Sequence, residues 1–417
     1  MQTKLSPEFA NTPAGREGEA ILRKCVHCGF CNATCPTYQL LGDELDGPRG
    51  RIYLIKQVLE GAAVTRSTQR HLDRCLTCRN CESTCPSGGD YGHLVDIGRQ
   101  LVDARVERPT ADRARRWALK EGITSSLFAP LLRLGKRLRP WLPAALRRKL
   151  PDGASPLTRE ARRRAARLPT RVHGRKVFLL AGCVQPAMLP NVNSATARVL
   201  DAAGIQCQLA SGAGCCGAIR HHLSDVDGAL DDMRRNIDAW WPALERGEGE
   251  AIVSNASGCS VMIKDYAHAL RHDPAYADKA ARVSAAARDR SQWLEELVPA
   301  LQPRLRAANA PALVFHAPCT LQHGLGLRGL VETHLGALGF QIQPPATDAH
   351  LCCGSAGTYS LLQPEIALQL RDRKLAQLAA VGAPCIVSAN VGCIQHLQSG
   401  TSTPVRHWIE ILDEALN

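Results

Sequence analysis

The chain has 417 residues, 18 cysteines, 4% aromatic residues and a formal net charge of +12, a size that suits two or three domains. The polar stretch Met1 to Ala20 lacks the apolar h-region of a secretory signal, and no apolar run approaches the roughly 18 residues of a membrane-spanning helix. A cytoplasmic protein is expected, at most peripheral on the inner membrane, and cysteine this abundant in an unsecreted chain points to metal rather than disulfides.

Residues 1–20 read as a loosely packed lead-in, and residues 21–102 as a domain built around eight cysteines. Cys25, Cys28, Cys31 and Cys35-Pro36 spell C-x2-C-x2-C-x3-C-P, and Cys75, Cys78, Cys81 and Cys85-Pro86 repeat it. Bacterial ferredoxins hold two 4Fe-4S clusters with this spacing, each copy lending its fourth cysteine to the other cluster. That rule assigns Cys25, Cys28, Cys31 and Cys85 to one cluster, and Cys75, Cys78, Cys81 and Cys35 to the second. A zinc site built from two C-x2-C pairs is the competing reading, but it leaves four of the octet unused. Between the copies, Arg51 to Glu60 carries an apolar stripe at helical spacing, and Ser67 to Asp73 predicts a second helix. The cluster domain is therefore expected to be mostly helical.

Residues 103–175 form a basic connector. They carry 20 Lys and Arg against 6 Asp and Glu, a local charge of +14, which leaves −2 for the rest of the chain. From Ser126 to Leu150, Leu127, Leu131, Leu134, Leu138, Trp141, Leu142, Leu146 and Leu150 alternate with Arg133, Lys136, Arg137, Arg139, Arg147, Arg148 and Lys149. Such a basic amphipathic pattern suits a membrane interface, a partner subunit, or a plain helical bridge. The cluster Arg162-Arg163-Arg164 raises nucleic acid, but no aromatic stacking platform accompanies it, so none is expected as a partner.

Residues 176–417 are a repeat, with halves at 176–310 and 311–417. In the first half, Val177 to Cys183, Gly214-Cys215-Cys216-Gly217 and Ala251 to Cys259 follow one another. In the second, Ala312 to Cys319, Leu351-Cys352-Cys353-Gly354 and Cys385 to Cys393 do the same. Short apolar runs ending in cysteine, separated by helix-length stretches such as Asn191 to Ala203, predict parallel strands in an α/β layer. Ligands in such sheets bind beyond the carboxyl ends of the strands. Cys183, Cys215, Cys216 and Cys259 are thus candidates for one further metal or redox centre, and Cys319, Cys352, Cys353 and Cys393 for another, with reduced thiols as the alternative. Cys207 and Cys385 read as buried structural cysteines. His316 and His323 flank Cys319, His350 precedes Cys352, and His221 and His222 follow Cys216; each reads first as a satisfied polar residue. The run Gly212 to Gly217 matches the dinucleotide fingerprint G-x-G-x-x-G. Its counterpart His350 to Gly354 keeps the cysteines and loses the glycines, so that match reads as incidental and no flavin is expected on this chain.

Two ferredoxin motifs followed by two Cys-Cys-Gly halves resemble the iron–sulfur subunits that partner flavin dehydrogenases of hydroxy acids and glycerol phosphate, and the catalytic subunit of heterodisulfide reductase. The cluster domain is similar to the iron–sulfur modules of quinone-linked dehydrogenases such as succinate dehydrogenase. Within this group, His316 to Gly324, His350 to Leu362 and Ser388 to Trp408 resemble the bacterial glycolate oxidase (glycolate dehydrogenase) iron–sulfur subunits. The resemblance implies an α+β multidomain chain, a helical two-cluster domain followed by a duplicated α/β domain. It implies an electron-transfer subunit that is not catalytic alone. Flavoprotein subunits would oxidise glycolate to glyoxylate, and electrons would pass to a quinone or another acceptor. The alternative is a catalytic subunit that reduces a disulfide or quinone at the Cys-Cys-Gly crevice. The heterodisulfide reductase pattern ends each half in C-x2-C, whereas Ala256 and Asn390 stand three residues before Cys259 and Cys393 here. That departure weighs against the alternative.

Overall fold

The computed structural model describes residues 1–125, 127–138, 141, 163, 166–305 and 312–416. The amino-terminal part is helical. Helix Pro13–Lys24 starts where Thr12 accepts a bond from the Gly15 amide and proline fills the first turn. It runs through the expected boundary at residue 20. Phe9 is buried in one core with Leu22, Ile55, Leu59 and Leu94. The lead-in is therefore packed, not loose, because an aromatic anchor and a capped helix hold it to the cluster domain. Helix Pro48–Leu59 covers the predicted 51–60 and begins earlier, at a proline suited to a first turn. Helix Arg66–Asp73 matches its expectation, with Thr65 as cap. Helix Tyr91–Asp103 closes the domain.

The connector forms helices Thr110–Thr124 and Phe128–Leu138. Its basic residues are partly spent on bridging. Arg108 and Arg116 reach Asp73 of the cluster domain at 2.7 and 3.0 Å, and Glu121 meets Arg220 of the first repeat at 2.8 Å. The rest of the expected amphipathic run, at 139–140 and 142–150, lies outside the described residues, as do Arg162 and Arg164.

Each half of the remainder folds around a four-stranded sheet. The first contains β1 (Arg175–Leu180), β2 (Ile205–Gln208), β3 (Ala251–Ser254) and β4 (Ala287–Asp289), in the order β2-β1-β3-β4. The second contains β5 (Leu313–His316), β6 (Ile342–Gln343), β7 (Cys385–Ser388) and β8 (Val405–His407), in the order β6-β5-β7-β8. Every pairing is parallel. The central strands β3 and β5 are buried at every position, and β1 and β7 over their carboxyl-terminal residues, as parallel strands covered on both faces are. In each sheet the chain leaves the first strand for one neighbour and returns to the other side. The switch point lies between β1 and β3, and between β5 and β7, where crevices open in such sheets.

The halves share a core. Val177, Leu179 and Val253 of one sheet pack in one cluster with Phe315 and Val387 of the other and with Trp408 of the helix Trp408–Ala415. Buried polar contacts cross the same seam: Arg290, which bonds Asn255 of its own half at 2.9 Å, meets His407, and Asn191 donates to Glu410 at 2.8 Å. Helix Pro190–Ala202 matches the predicted 191–203 and stops before Gly204, whose φ is +80°.

Candidate metal centres

The two ferredoxin loops share one backbone geometry. In the first, His27 and Gly29 have φ of +58° and +88°; in the second, the equivalent Thr77 and Arg79 have +51° and +58°. Left-handed residues on either side of the middle cysteine curl the chain so that its amides point inward. Three of these four are not glycine, a conformation that costs about 1–3 kcal/mol each and persists at sites that need it. Concavities of inward amides are nests for anions, iron–sulfur clusters among them. The Thr77 amide donates to Cys75 Sγ, and the Gly89 amide to Cys85 Sγ, both at 3.4 Å.

The thiols gather across the two copies. The groups facing Cys31 are Cys25, Cys28 and Cys85, and those facing Cys81 include Cys78, Cys75 and Cys35. A small cavity is lined by Cys25, Cys28, Cys31 and Cys85, with Cys81 at its edge. Burial, then neighbouring thiols, pushes Cys31 up to about 11, and the same causes raise Cys78 and Cys81 well above the ordinary thiol range. Thiols gathered this closely suit a bound cation that replaces their protons. The donor set fits an iron–sulfur cluster in each loop.

The surroundings of the two loops differ. Cys28 is exposed, with Val26 and Phe30 bare beside it. The second loop is enclosed. Tyr91 Oη donates to Cys75 Sγ at 3.6 Å, and Cys35 lies 3.3 Å from Thr37 Oγ1. Arg51, 1% exposed, donates to Thr37 and to the His71 carbonyl. Burial alone would favour its neutral form, but Tyr91, Cys75, Cys35 and Asp46 around it keep it cationic. A fixed positive charge thus stands beside a site whose occupant is anionic.

This second loop docks on the second repeat. Asn80 donates to the His350 carbonyl at 3.3 Å, Ser83 meets His323 Nδ1 at 2.8 Å, and Tyr359 donates to the Arg74 carbonyl at 3.0 Å. Leu76 packs in one apolar cluster with Cys319 and Cys352, and Cys78 lies against it. Cys78 is half-buried and lines a cavity of about 1450 Å³. Cys183, Cys215, Cys216, Cys259, Cys319, Cys352 and Cys393 line the same cavity. Seven of the eight candidate Cys-Cys-Gly thiols therefore converge on one space, as the switch-point argument anticipates.

Within each half the thiols pair closely. Cys183 Sγ lies 3.6 Å from Cys215 Sγ, and Cys319 Sγ 3.7 Å from Cys352 Sγ. Gly217 and Gly354 have φ of +90° and +88°, and a Cβ there would sit 3.0 Å from the Ala229 carbonyl and 2.5 Å from that of Ala367. Only glycine turns the chain so tightly against the following helix. Cys259 and Cys393 sit one step beyond their expected place. They lie not at strand ends but in helices Ser257–Lys264 and Val391–Gln398, which start just after β3 and β7. Asn390 caps the second helix, accepting from the Gly392 amide. Cys207 and Cys385 are half-buried and pack against the shared core, away from the cavity. The fingerprint-like Gly212 to Gly217 follows the edge strand β2 and delivers cysteines to the cavity.

The histidines divide. His323 is satisfied by Ser83 and the His350 carbonyl. His221 and His222 lie near Asp96 on the cavity wall. Two depart from the expectation: the buried His221 Nδ1 has no hydrogen-bond partner among the described residues, and neither does Nε2 of His316, a residue 1% exposed.

Comparison with known proteins agrees with this arrangement. Residues 21–89 match the model of a 4Fe-4S dicluster domain, and residues 177–264 and 313–398 each match that of a cysteine-rich domain. The glycolate oxidase iron-sulfur subunit of Escherichia coli (strain K12) is 52% identical, over 100% of this chain and 99% of the relative. The chain belongs to the family of glycolate oxidase iron–sulfur subunits. A probable glycolate oxidase iron-sulfur subunit of Bacillus subtilis (strain 168) is 30% identical over 95% of this chain and 93% of its own length. Lactate utilization protein A of Exiguobacterium sp. is 25% identical over 58% of this chain and 98% of its own length. As an iron–sulfur subunit of this family, the chain combines a helical dicluster domain with two parallel-sheet cysteine-rich domains, an α+β architecture.

Proposed function

We propose that the chain is the electron-transfer subunit of a flavin-dependent glycolate dehydrogenase complex, with the oxidation of glycolate to glyoxylate carried out on a flavoprotein partner. Cys25, Cys28, Cys31 and Cys85 would hold one 4Fe-4S cluster, and Cys75, Cys78, Cys81 and Cys35 the other. When bound, these clusters supply one-electron carriers at potentials set by their protein surroundings. The residues of this chain do the tuning and insulating. Inward amides and Tyr91 Oη donate to the sulfurs, Arg51 balances their negative charge, and the packed Leu76 and Tyr359 keep bulk water from the second loop. The observation that carries this reading is the cross-pairing of Cys85 with the first loop and Cys35 with the second.

A quinone as acceptor is supported by the apolar side of the large cavity. Phe128 and Leu132 line it, and they belong to the connector helix whose opposite face exposes Leu131 and Leu134 beside Arg133 and Arg137. That face suits the surface of an anionic membrane. No helix among the described residues is long and apolar enough to cross one.

Cys78→Ser in the intact complex tests the division of labour. Electron flow from glycolate to an external acceptor should vanish, while reduction of the partner's flavin by glycolate survives. Loss of flavin reduction with the complex still assembled would overturn the proposal.

A further inference from the structure

We propose that the second Cys-Cys-Gly half is a metal site of five donors, in which His316 Nε2 joins the thiolates of Cys319, Cys352, Cys353 and Cys393, with Lys374 as its buried counter-cation. The first half matches its four thiols but holds Leu180 where His316 stands, and the cation facing its thiols is Arg235, half exposed rather than buried.

His316 is the last residue of β5, three before Cys319; Leu180 is the last residue of β1, three before Cys183. The same place in the fold thus holds an apolar side chain in one half and an imidazole in the other. Ser388 Oγ donates to the His316 carbonyl at 2.9 Å and fixes the strand end. The ring nitrogen of His316 and the Sγ atoms of Cys353 and Cys393 all lie within 4.8 Å of one another. A buried ring nitrogen without a partner is destabilising, a penalty that coordination to a metal removes. Two thiolates each about 2.3 Å from a shared ion lie a little under twice that distance apart, and the Cys319–Cys352 separation is 3.7 Å.

Lys374 supplies the second difference. It is 2% exposed, donates to the Asp348 carbonyl at 2.5 Å, and faces Cys353, Cys352 and Cys319. Lys374 stands seven residues after Ala367, whose carbonyl abuts Gly354; seven residues after Ala229, whose carbonyl abuts Gly217, stands Asn236. Asn236 is neutral and spends its amide on the Gly214 and Cys215 backbone. A buried ammonium is costly without an anion nearby, and four metal-bound thiolates are such an anion. On binding, each thiol releases its proton to solvent as a sulfur–metal bond forms, and neutral His316 gives the lone pair of Nε2.

Iron and zinc contents of the full chain, purified anaerobically, provide the test. The ferredoxin octet sets an internal standard of about eight iron, the content of two four-iron clusters. Wild type should hold metal beyond that standard. His316→Leu, which copies the first half, should lose the same increment as Cys393→Ser and keep the standard. His316→Cys, which restores a donor, should retain the increment. Wild type with nothing beyond the standard, His316→Leu with the full wild-type content, or His316→Cys as depleted as His316→Leu would each overturn the proposal. A wild-type chain lacking the standard itself would instead refute the two-cluster reading, whatever His316 binds.

Discussion

Tyr91→Phe isolates one hydrogen bond to Cys75, one of the proposed cluster ligands. The ring stays, so the packing of Tyr91 against Leu94 and Cys75 in the domain core is kept, and only the Oη–Sγ contact of 3.6 Å is deleted. Hydrogen bonds to charged groups contribute about 1.5–3 kcal/mol net. The oxidised and reduced forms of a cluster are both anionic, so only part of that sum discriminates between them, roughly 1 kcal/mol in favour of the reduced form. For a one-electron couple a tenfold change in equilibrium, about 1.4 kcal/mol, is 59 mV. The midpoint potential of the cluster held by Cys75 should therefore fall by roughly 40 mV. An EPR-monitored redox titration of the anaerobic chain reads the shift, with the cluster held by Cys25 as internal reference. An unchanged or higher potential would show that the Tyr91 hydroxyl does not act on that sulfur. Equal shifts in both clusters would show a general loosening of the domain.

Gly354→Ala should destabilise the second repeat by more than the about 1–3 kcal/mol of a left-handed non-glycine residue, because its Cβ would stand 2.5 Å from the Ala367 carbonyl. Gly217→Ala meets its carbonyl at 3.0 Å and should cost less; thermal melts that reversed this order would contradict the packing described. His93 faces Asp90, Asp265, Glu82 and Arg79, stacks on His268, and stands near Glu17. Burial opposes its charge, but Asp265 and Asp90 raise it from 6.5 to about 10. Its stabilising contribution is complete below about pH 6.5, the unfolded value, and is lost as pH rises through about 10. Asp265 is opposed by burial yet lowered to about 2 by His93 and Arg79, so its contribution is lost only in acid, as pH falls from 3.8 through about 2. Urea unfolding should show a loss of stability between pH 6 and pH 9.5 that His93→Gln reduces, and an equal loss in both proteins would count against this contact. Leu131→Asp with Leu134→Asp should weaken sedimentation with anionic vesicles roughly tenfold or more, since each buried leucine contributes about 1.5–3 kcal/mol; unchanged binding would remove this helix as a membrane contact.

What the sequence made legible was periodic or repeated. The octet needs only its spacing, and the duplicated runs ending in cysteine foretell two parallel sheets because each half corroborates the other. The three-residue strands β4 and β8 are too short to leave a pattern. The lead-in is held by one phenylalanine, Phe9, and a single anchor has no periodicity to read. The placement of Cys259 and Cys393 in helices rather than at strand ends turns on where a capped helix starts, a matter of one or two residues. Contacts such as Arg79–Asp265 join positions 186 apart, and no local rule reaches them. His316 was visible only as one more polar residue near a cysteine. Comparing the halves position by position is the signal that could have singled it out, since Leu180 shows what that place holds when no donor is needed.

The two ferredoxin loops have the same backbone and opposite exposures, and this gives the subunit a direction. Cys28, Val26 and Phe30 lie bare at one end, where another protein can approach closely. At the other end the loop from Cys75 to Cys81 is sealed by Asn80, Ser83 and Tyr359 against the second repeat, and a partner cannot reach it from outside. All three seals contact the second half, while the first half meets the cluster domain through the charged contacts of Arg79 and His268 with Asp265 and Glu17. Hydrogen bonds to backbone carbonyls hold a fixed register, whereas partly exposed ion pairs contribute less to it. The second half is thus the one positioned most rigidly against Cys78, and it is also the half in which an imidazole and a buried ammonium have replaced a leucine and an asparagine. Duplication supplied two similar crevices, and the loop from Cys75 to Cys81 meets both halves, the first through the Arg79–Asp265 ion pair and the second through the hydrogen bond from Asn80 to its backbone.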